Sequence, residues 1–332
     1  MGETDEMAMA GKDGPPEAGL EVVERALARL ALLEDVGEGD VSAAAVPEGA
    51  RATATIRARE PGVLSGLGAA ISVFRAVDAD VEVETLVEPG SRFAAGDEIL
   101  RARGAARSLL TAERSALNFL QHLSGVATAT RACVDALGGP DARVRLSDTR
   151  KTTPGLRLLE KEAVLHGGGT NHRLGLYDAI MIKDNHIDAA GGIAKAAEAV
   201  RRSSPGVPVI IEARNLEEAR EAAIADAGRI LLDNMSPERV RECVRAIREI
   251  DATRVAAAGA PADPEWRWIP GTKRPGDPRT QIEVSGRLEL SSIASYADLD
   301  IDFVSIGRIT HSAPALDLGL DLVLGGEGPA AG

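Results

Sequence analysis

The sequence contains few aromatic residues, few cysteines and no long apolar run. Aromatic side chains make up only 2% of its 332 residues, so a core drawn from the 44% of hydrophobic residues must consist mainly of Ala, Val, Leu and Ile. No segment reaches the roughly 18 consecutive apolar residues that a membrane-spanning helix requires. The N-terminal segment lacks a basic stretch followed by an apolar one, as a secretory signal would have. We therefore expect a cytoplasmic protein with an acidic tail over residues 1–19.

Lysine is scarce as well. Only six of the 38 basic residues are lysines, and the formal net charge is -13 at pH 7. This balance excludes generic binding of nucleic acid, which needs a basic surface, and it is typical of proteins from salt-rich cytoplasm. A coding bias toward Arg, Ala, Gly and Glu would give a similar composition, so both interpretations stay open. Cys133 and Cys243 lie far apart in predicted helices and are expected to be reduced structural thiols.

The first part of the chain alternates between helical and strand patterns. Apolar spacing predicts a helix over residues 20–33 and a longer helical stretch over residues 108–137, broken near Gly125. Between them, residues 52–58 and 81–87 alternate apolar and polar side chains as half-buried strands do. Turns that contain Gly and Pro separate these strands. The pattern predicts a small antiparallel sheet with one solvated face.

From Val144 onward, short apolar runs alternate with helical segments. The runs are residues 144–146, 179–182, 207–211, 229–232, 281–284 and 303–306, and the helices are residues 193–202, 216–225, 237–250 and 291–296. This alternation predicts a parallel sheet with right-handed crossovers, either a closed α/β barrel or an open doubly wound sheet. No G-x-G-x-x-G motif supports a dinucleotide-binding sheet. Residues 251–279, rich in Pro and Gly, are predicted to be an insertion loop that contains neither a helix nor a core strand.

Each of these apolar runs ends on a polar residue that is able to take part in chemistry. In a parallel α/β barrel the carboxyl ends of all strands lie on one rim, where active sites are found. We therefore predict an active site at this rim. The strand ends, in chain order, carry Asp148-Thr149-Arg150-Lys151, Lys183-Asp184-Asn185-His186, Glu212, Asp233-Asn234, Ser285-Gly286 and Gly307-Arg308.

The predicted rim is rich in cations although the protein as a whole is acidic. An excess of cations in a cleft predicts an anionic ligand, and arginine is suited to a bidentate grip on carboxylates. The cations are Arg150, Lys151, Arg173 and Lys183, with His172 beside them and Arg114 supplied by the preceding helical stretch.

Acidic and small residues oppose these cations. Two carboxylates near an anion site, here Glu212 and Asp233, are able to hold a divalent cation, grip sugar hydroxyls or stabilise developing positive charge. Ser285-Gly286 and Ile306-Gly307-Arg308 place small residues ahead of predicted helices, where backbone N–H groups cradle phosphate. The combination predicts an anionic substrate that carries a phosphate.

The segment His166-Gly-Gly-Gly-Thr-Asn-His172 places two histidines around three glycines. A zinc site would need a third His or Cys at ligand spacing, and none follows. We interpret the segment as a flexible loop that presents His172 and Arg173 to the rim. His122, in the long helical stretch, is interpreted as a satisfied core or interface histidine.

Five blocks resemble the signature blocks of the quinolinate phosphoribosyltransferase (nicotinate-nucleotide pyrophosphorylase, carboxylating) family in order and spacing. They are ERSALNFLQHLSGVAT, DTRKTTPGLR, GGGTNHRLGLYDAIMIKDNHI, LLDNM and SIGRITHS, within a similarity that runs from about residue 20 to residue 322. The resemblance implies an N-terminal α/β sandwich domain and an open seven-stranded parallel α/β (TIM-like) barrel. The implied sandwich covers residues 20–127, rejoined by residues 313–325, and the implied barrel covers residues 128–312.

The resemblance also implies a reaction. Quinolinate and phosphoribosyl pyrophosphate would give nicotinate mononucleotide, pyrophosphate and carbon dioxide in NAD biosynthesis, with Mg²⁺ as cofactor. Family members form homodimers in which the sandwich of one subunit covers the barrel rim of the other, and a hexamer stays open for this chain. No membrane or nucleic-acid partner is implied.

Site residues follow from the resemblance by motif. Arg114 would reach quinolinate across the dimer interface, and Glu212 and Asp233 would face the ribose and the magnesium ion. Lys151, Lys183, Glu212 and Asp233 are the implied catalytic residues. The implied substrate-binding residues are Arg114, Thr149, Arg150, Lys151, His172, Arg173, Lys183, Glu212, Asp233, Ser285, Gly286, Arg287, Ile306, Gly307 and Arg308.

The sequence departs from the family pattern near the rim. Ile210 stands at the first position of the usual Glu-x-Glu, and Arg287 replaces the second glycine of the usual Ser-Gly-Gly, where it either adds a phosphate contact or crowds the site. The insertion 251–279 has no usual counterpart and is expected on the barrel face opposite the chemistry. Two alternatives stay open: a phosphoribosyltransferase with a different acceptor, as in the molybdenum-associated homologues, and a non-catalytic barrel that binds anions.

Overall fold

The computed structural model describes residues 17–258 and 279–325. The first part of the chain forms short strands packed against helices. β1 alternates exposed or half-buried positions with buried ones along its whole length, as a strand with one solvated face should. The elements of this part are α1 (Glu17–Asp35), a 3₁₀ turn (Ala43–Ala45), β1 (Arg51–Ala58), β2 (Gly62–Val63), α2 (Leu67–Val77), β3 (Glu82–Thr85), β4 (Arg92–Phe93), β5 (Glu98–Ala105) and α3 (Ala106–Ala136).

The second part alternates strands and helices. Its elements are β6 (Arg145–Ser147), α4 (Arg157–His166), β7 (Ile180–Ile182), α5 (Asp184–Ala190), α6 (Ile193–Ser203), β8 (Val209–Ala213), α7 (Leu216–Ile224), β9 (Arg229–Asp233), α8 (Pro237–Ala258), β10 (Gln281–Ser285), α9 (Leu290–Ile293), a second 3₁₀ turn (Ala294–Tyr296), β11 (Phe303–Ser305), α10 (Arg308–His311) and β12 (Leu318–Leu324). Each of the six apolar runs predicted from Val144 onward overlaps one of the strands β6 to β11.

The six parallel strands lie in the order β6-β11-β10-β9-β8-β7. Residues that follow both edge strands, Thr149 after β6 and Lys183 after β7, line one cavity, so the sheet curves into an open barrel. The predicted fold class is therefore confirmed. In place of a regular seventh strand, the described residues form an isolated parallel bridge between Ser147 and Thr170. A regular ladder stops there because the N–H of His172 donates to the Asp148 carboxylate, 2.7 Å away.

The antiparallel sheet has the order β12-β1-β5-β3, so the last described strand pairs with the first. Leu324 lies opposite Ala52, and Leu318 lies opposite Ala58. Helix α2 packs beside this sheet and buries Val73 and Phe74 completely. The sequence patterns did not predict α2, although its buried residues Leu67, Ala70 and Phe74 recur at helical spacing.

Helix α3 is continuous from Ala106 to Ala136, and the predicted break near Gly125 is wrong. A Cβ atom at Gly125 would lie 2.1 Å from the carbonyl oxygen of Pro314. The glycine therefore permits a close approach of the segment that leads into β12, and the helix tolerates it because tertiary packing outweighs the modest cost of one glycine.

Helix α8 runs to Ala258, so the prediction of no helix in residues 251–279 is wrong for its first eight positions. Ala and Arg in this stretch are good helix formers. Asp251 is 5% exposed and holds the segment that precedes β10. Its carboxylate accepts hydrogen bonds from the N–H and the hydroxyl of Thr280, at 3.1 Å and 2.8 Å. Residues 259–278, which include Trp266 and Trp268, lie outside the described residues.

Two large apolar clusters form most of the core, one between the barrel strands and their helices and one between the antiparallel sheet and its helices. A small third cluster, Ala179, Ile210 and Leu231, joins the barrel strands. Both cysteines are buried free thiols in helices α3 and α8, as predicted. Burial raises the pKa of Cys133 to about 11. In the described ranges no helix has the length and apolar character to cross a membrane.

Candidate active site

A cavity of about 580 Å³ opens at the carboxyl ends of the barrel strands, where the polar strand ends predicted a rim site. Residues that belong to each barrel strand, or follow it closely in the case of β6, reach the cavity. Its lining comprises Thr149, Arg150, Lys151, His172, Arg173, Met181, Lys183, Glu212, Leu231, Asp233, Asn234, Glu283, Ser285, Gly286, Arg287 and Ser305.

Strand register brings the predicted carboxylates and the phosphate segment to the same edge. Ser285 lies opposite Asp233 across the β10–β9 ladder, and Glu212 lies opposite Leu231 across the β8–β9 ladder. A parallel ladder aligns the ends of neighbouring strands, so the residues after each strand converge without any long-range side-chain reach.

A buried ion pair supports the segment that carries His172. Lys161 on α4 and Asp148 after β6 are both fully buried, with Nζ 2.7 Å from Oδ1. Asp148 accepts the N–H of His172 at 2.7 Å, and Lys161 donates to the His172 carbonyl at 2.8 Å. Two charges in one apolar site are stable only when each is compensated in this way. The backbone of His172 is therefore fixed from both sides.

Arg150 and Arg173 form the cationic wall of the cavity. Burial and the neighbouring Arg150 guanidinium lower the pKa of Arg173, although Asp178 offsets part of this effect. The Nη1 of Arg173 donates to the carbonyl of Ala179 at 3.0 Å, and Nε of Arg150 is buried without a hydrogen-bond partner among the described residues. Two adjacent guanidinium groups with spare donors favour an anion that bridges them.

The opposite wall is carboxylate-rich. Glu212 accepts a hydrogen bond from Nζ of Lys183 at 2.8 Å, and Asp233 accepts one from Nδ2 of Asn234 at 2.6 Å. Each carboxylate has one oxygen engaged in this way. Because both groups stand at strand ends, their remaining lone pairs are available to a polyhydroxylated or positively charged ligand.

The Ser285–Arg287 segment turns sharply beside Asp233. Gly286 has φ +131, and a Cβ there would lie 2.6 Å from the side-chain oxygen of Asn234. The same oxygen accepts the N–H of Arg287 at 3.2 Å. A glycine is therefore required at Gly286, whereas the exposed Arg287 side chain is accommodated at the cavity wall.

Four predicted site residues do not line this cavity. Arg114 is exposed on α3, and Ile306 and Arg308 line a neighbouring groove of about 600 Å³. Gly307 lies under the site, since a Cβ there would meet the Cδ of Lys151 at 2.9 Å and the Oγ1 of Thr149 at 3.1 Å. Its packing supports the lysine and threonine that do line the cavity.

Glu283 was missed by the sequence reading and lies on the cavity floor. It is fully buried, with Oε2 2.8 Å from Nη1 of Arg229 and 3.4 Å from Nε2 of His172. Burial would raise the pKa of Glu283, but His172 and Arg229 hold it well below its ordinary value. The signal was an acid in the middle of a buried strand, Gln281–Ser285, which the apolar pattern on either side concealed. Met181, Leu231, Asn234 and Ser305 were likewise missed.

The glycine segment after α4 is packed, so its interpretation as a flexible loop is wrong. A Cβ at Gly167 would meet Thr130 at 2.5 Å, and His166 lies 2.9 Å from the Ser65 hydroxyl through Nδ1. His122 is satisfied by Glu160 at 2.8 Å, as predicted. Within the described residues no three His, Cys, Asp or Glu side chains cluster as a metal site.

Fold and site together define a phosphoribosyltransferase-type barrel, and comparisons with known proteins identify its family. The family model "Quinolinate phosphoribosyl transferase, C-terminal domain" matches residues 126–262 and 271–321. The corresponding N-terminal domain model matches residues 40–124. The chain belongs to the quinolinate phosphoribosyltransferase family.

Curated relatives match over nearly the whole chain. The nicotinate-nucleotide pyrophosphorylase [carboxylating] of Mycobacterium leprae is 40% identical over 298 residues, which cover 89% of this chain and 95% of the relative. A probable enzyme of the same name from Methanocaldococcus jannaschii is 35% identical, with 87% and 93% covered. Relatives from both organisms thus confirm the family that the sequence blocks implied.

Solved structures of proteins with related names have the same fold as this chain. NadC from Streptococcus pyogenes superposes with a TM-score of 0.78 at 41% identity, covering 90% of this chain and 96% of that one. The nicotinate-nucleotide pyrophosphorylase from Francisella tularensis gives a TM-score of 0.78 at 34% identity, with 91% and 97% covered.

Proposed function

We propose that this chain transfers phosphoribose from phosphoribosyl pyrophosphate to quinolinate and decarboxylates the product to nicotinate mononucleotide. The observation that carries the proposal is the cavity at the barrel rim, in which Arg150 and Arg173 stand opposite Glu212 and Asp233. Cations on one wall suit a dicarboxylate, and carboxylates on the other suit a ribose that becomes positively charged. Family membership supplies the reaction, and the named relatives carry this activity.

The dicarboxylate would bind against the cationic wall. Arg150 and Arg173 supply fork-shaped donors, and Lys183 adds a point charge at the adjoining strand end. His172 adds one directed N–H from the floor of the cavity. Holding both carboxylates fixes the ring nitrogen toward the ribose, and such positioning supplies much of the rate enhancement in a reaction between two bound substrates.

The chemistry needs no strong base. The bond between the anomeric carbon and pyrophosphate breaks, and the leaving oxygen keeps the electron pair. The lone pair of the pyridine nitrogen then bonds to this carbon, while Glu212 and Asp233 stabilise its positive character. The carbon–carbon bond to the carboxylate next to the nitrogen breaks afterwards. Carbon dioxide leaves, and the electron pair of that bond stays on the ring carbon, where the adjacent positively charged nitrogen stabilises it until the carbon takes up a proton.

The phosphate of the ribose would lie against Ser285, Gly286 and Arg287. Gly286 leaves the backbone close to the cavity, and Arg287 adds a guanidinium beside it. The helix that follows begins only at Leu290 and spans four residues, so its dipole is small. We therefore assign the charge compensation at this phosphate to the Arg287 side chain.

Magnesium would be held by Glu212 and Asp233 together with the pyrophosphate. The two carboxylates fit this role because Mg²⁺ bound with phosphates typically takes one or two protein carboxylates and keeps several waters. The ion would neutralise charge on the pyrophosphate as it leaves.

We also propose a homodimer in which Arg114 completes the site of the partner subunit. Arg114 is exposed on α3, one helical turn from Thr111, whose hydroxyl donates to Asp40 at 3.0 Å. Val41, next to that carboxylate, is 93% exposed. An exposed apolar side chain near a cation that forms no salt bridge with the described residues of its own subunit suits a subunit contact.

The proposal is tested by incubating the purified protein with quinolinate, phosphoribosyl pyrophosphate and Mg²⁺ in low and in multimolar KCl. We expect nicotinate mononucleotide and carbon dioxide in equal amounts, and no product when either substrate is omitted. Nicotinate offered in place of quinolinate should not react, because it lacks one of the two carboxylates. Absence of product from quinolinate at every salt concentration would contradict the proposal.

The salt series also tests the expected environment. An acidic, lysine-poor surface is best hydrated in a salt-rich cytoplasm, so we propose that activity and melting temperature rise between low and multimolar KCl. A melting temperature that falls across this range would favour coding bias as the cause of the composition.

A further inference from the structure

A buried carboxylate lies at the floor of a cavity that is proposed to bind a dianion. Glu283 is fully buried and lines the cavity, so its negative charge faces the same space as the substrate carboxylates. An uncompensated acid in that place would weaken the binding of an anion. The residues around Glu283 must therefore cancel its charge or put it to use.

Arg229 cancels the charge. Its Nη1 lies 2.8 Å from Oε2 of Glu283, and its guanidinium stacks over the ring of Phe303 at 4.2 Å. Nε of Arg229 also donates to the side chain of Gln281 at 3.3 Å. With 2% of its surface exposed, Arg229 is held below the cavity and does not reach a ligand. The pair is electrically neutral, and only Glu283 lies on the cavity wall.

The other neighbour of Glu283 is the ring of His172. Nδ1 of that ring accepts the backbone N–H of Arg173 at 2.7 Å. An imidazole nitrogen that accepts a hydrogen bond carries no proton, so the ring proton lies on Nε2. Nε2 in turn lies 3.4 Å from Oε2 of Glu283. The ring therefore has one hydrogen bond, from the backbone donor at Nδ1, and faces the Glu283 carboxylate with Nε2.

The long distance on the carboxylate side has a consequence for binding. At 3.4 Å the Glu283 carboxylate attracts the N–H electrostatically but forms no hydrogen bond with it. Nε2 of His172 is buried and has no hydrogen-bond partner in the described part of the chain. A buried donor in this situation gains free energy from an incoming carboxylate oxygen.

We propose that Glu283 is a positioning residue that acts through His172, by holding its Nε2–H tautomer and aiming that donor at a substrate carboxylate. The inference depends on the proposed function, since it assumes that quinolinate is the ligand of the cavity. Glu283 does not touch the reacting atoms. Its removal should weaken the binding of quinolinate and leave the chemical step and the affinity for phosphoribosyl pyrophosphate nearly unchanged.

The first test is a double-mutant cycle on quinolinate affinity, measured by calorimetry on the intact protein. Glu283→Gln should raise the Kd about tenfold, the loss typical of a hydrogen bond to a charged group. In a His172→Ala background the same substitution should change the Kd by less than about twofold, because the residue it acts through is gone. Gln281→Asn is the matched control, since it alters a contact of Arg229 in the same layer and should leave the Kd unchanged.

Glu283→Gln removes the carboxylate that lies 2.8 Å from Nη1 of the buried Arg229, and this loss has the potential to prevent folding. Glu283→Asp keeps the charge of the ion pair and withdraws the carboxylate from His172 by one methylene, so it serves as the second variant. We expect it to raise the Kd about threefold and to leave kcat within about twofold.

The second test needs no substrate. Long-range ¹H–¹⁵N correlation spectra of the free protein should show His172 with its proton on Nε2 and not on Nδ1, and Glu283→Asp should shift the Nε2 resonance. Additive effects in the cycle, or an Nδ1–H tautomer, would overturn the inference. Failure of the wild-type protein to make nicotinate mononucleotide would instead contradict the proposed function, whatever the spectra show.

Discussion

The two ends of the barrel differ in how their charges are paired. At the amino ends of the strands, Arg248 bonds to Asp251 and Asp300 at 3.2 Å and 3.0 Å, and Arg279 bonds to Asp300 at 3.0 Å. At the carboxyl ends, Arg150 and Lys151 form no salt bridge with a carboxylate within the described part of the chain. The molecule thus pairs its arginines at the amino ends, whereas at the carboxyl ends Lys183 pairs with Glu212 but Arg150 and Lys151 have no carboxylate partner among the described residues.

The difference separates charges that stabilise the fold from charges that bind a ligand. In a network where each arginine bonds to carboxylates and backbone carbonyls, the charges are already compensated within the protein. Binding of an anion would add little stabilisation there. Cations crowded together, such as Arg150 and Arg173, repel each other until an anion arrives. Sequence alone does not make this distinction, because both ends contain arginines at strand termini.

Removing a rim cation should have the largest effect. Arg150→Ala is expected to raise the Kd for quinolinate by at least about a hundredfold, because the dicarboxylate loses a bidentate charge-assisted contact. Calorimetry gives the affinity, and the melting temperature should stay within about 2 °C of the wild type. Arg143→Ala, which breaks a pair with Asp300 at the opposite end, is the control and should leave the Kd unchanged. Equal effects of both variants would remove the distinction between the two ends.

The converse prediction concerns the amino-terminal end. Asp251→Ala should lower the free energy of unfolding by about 3 kcal/mol, because it strips a buried partner from Arg248, Arg254 and Thr280. Denaturant titration measures the loss, while kcat/KM of the folded fraction should not change. A large fall in kcat/KM with unchanged stability would show that this end also serves the reaction.

A smaller effect is expected at Arg287. Arg287→Gly should raise the KM for phosphoribosyl pyrophosphate about threefold to tenfold, since one guanidinium contact with the phosphate is lost at an exposed site. The KM for quinolinate serves as the internal control. A lower KM for phosphoribosyl pyrophosphate in the variant would mean that the arginine crowds the site.

The smallest effect concerns a third kind of charge, neither paired nor available to a ligand. Burial, and to a smaller extent the neighbouring Glu24 carboxylate, raises the pKa of Glu162 from its ordinary value of 4.5 to about 7. The folded state therefore binds more protons than the unfolded state between these values, and stability falls as pH rises from 4.5 to about 7. Glu162→Gln should flatten this slope and stabilise the protein above pH 7. Melting temperatures from pH 5 to pH 8 measure it, and an unchanged slope would count against this origin.

Much of the barrel was predictable because its signals are local. Every apolar run became a strand, and residues such as Lys183 and Asp233 reached the cavity simply by following one. Gly125 was misread because a glycine inside a helix carries no sign of the chain that packs on it. Glu283 was missed for a related reason, since its partners Arg229 and His172 come from other strands and loops. Contacts made by tertiary structure leave no spacing pattern in the sequence.

The pairing of β12 with β1 has a consequence for folding during synthesis of the chain. Ala52 meets Leu324, so the edge of the first sheet is supplied by residues near the end of the chain. On the ribosome, which releases residues from the N-terminus onward, β1 must wait with one edge unpaired while the whole barrel is made. An unpaired edge is prone to join other strands. We therefore expect chains arrested before β12 to aggregate, even when their barrels have already folded.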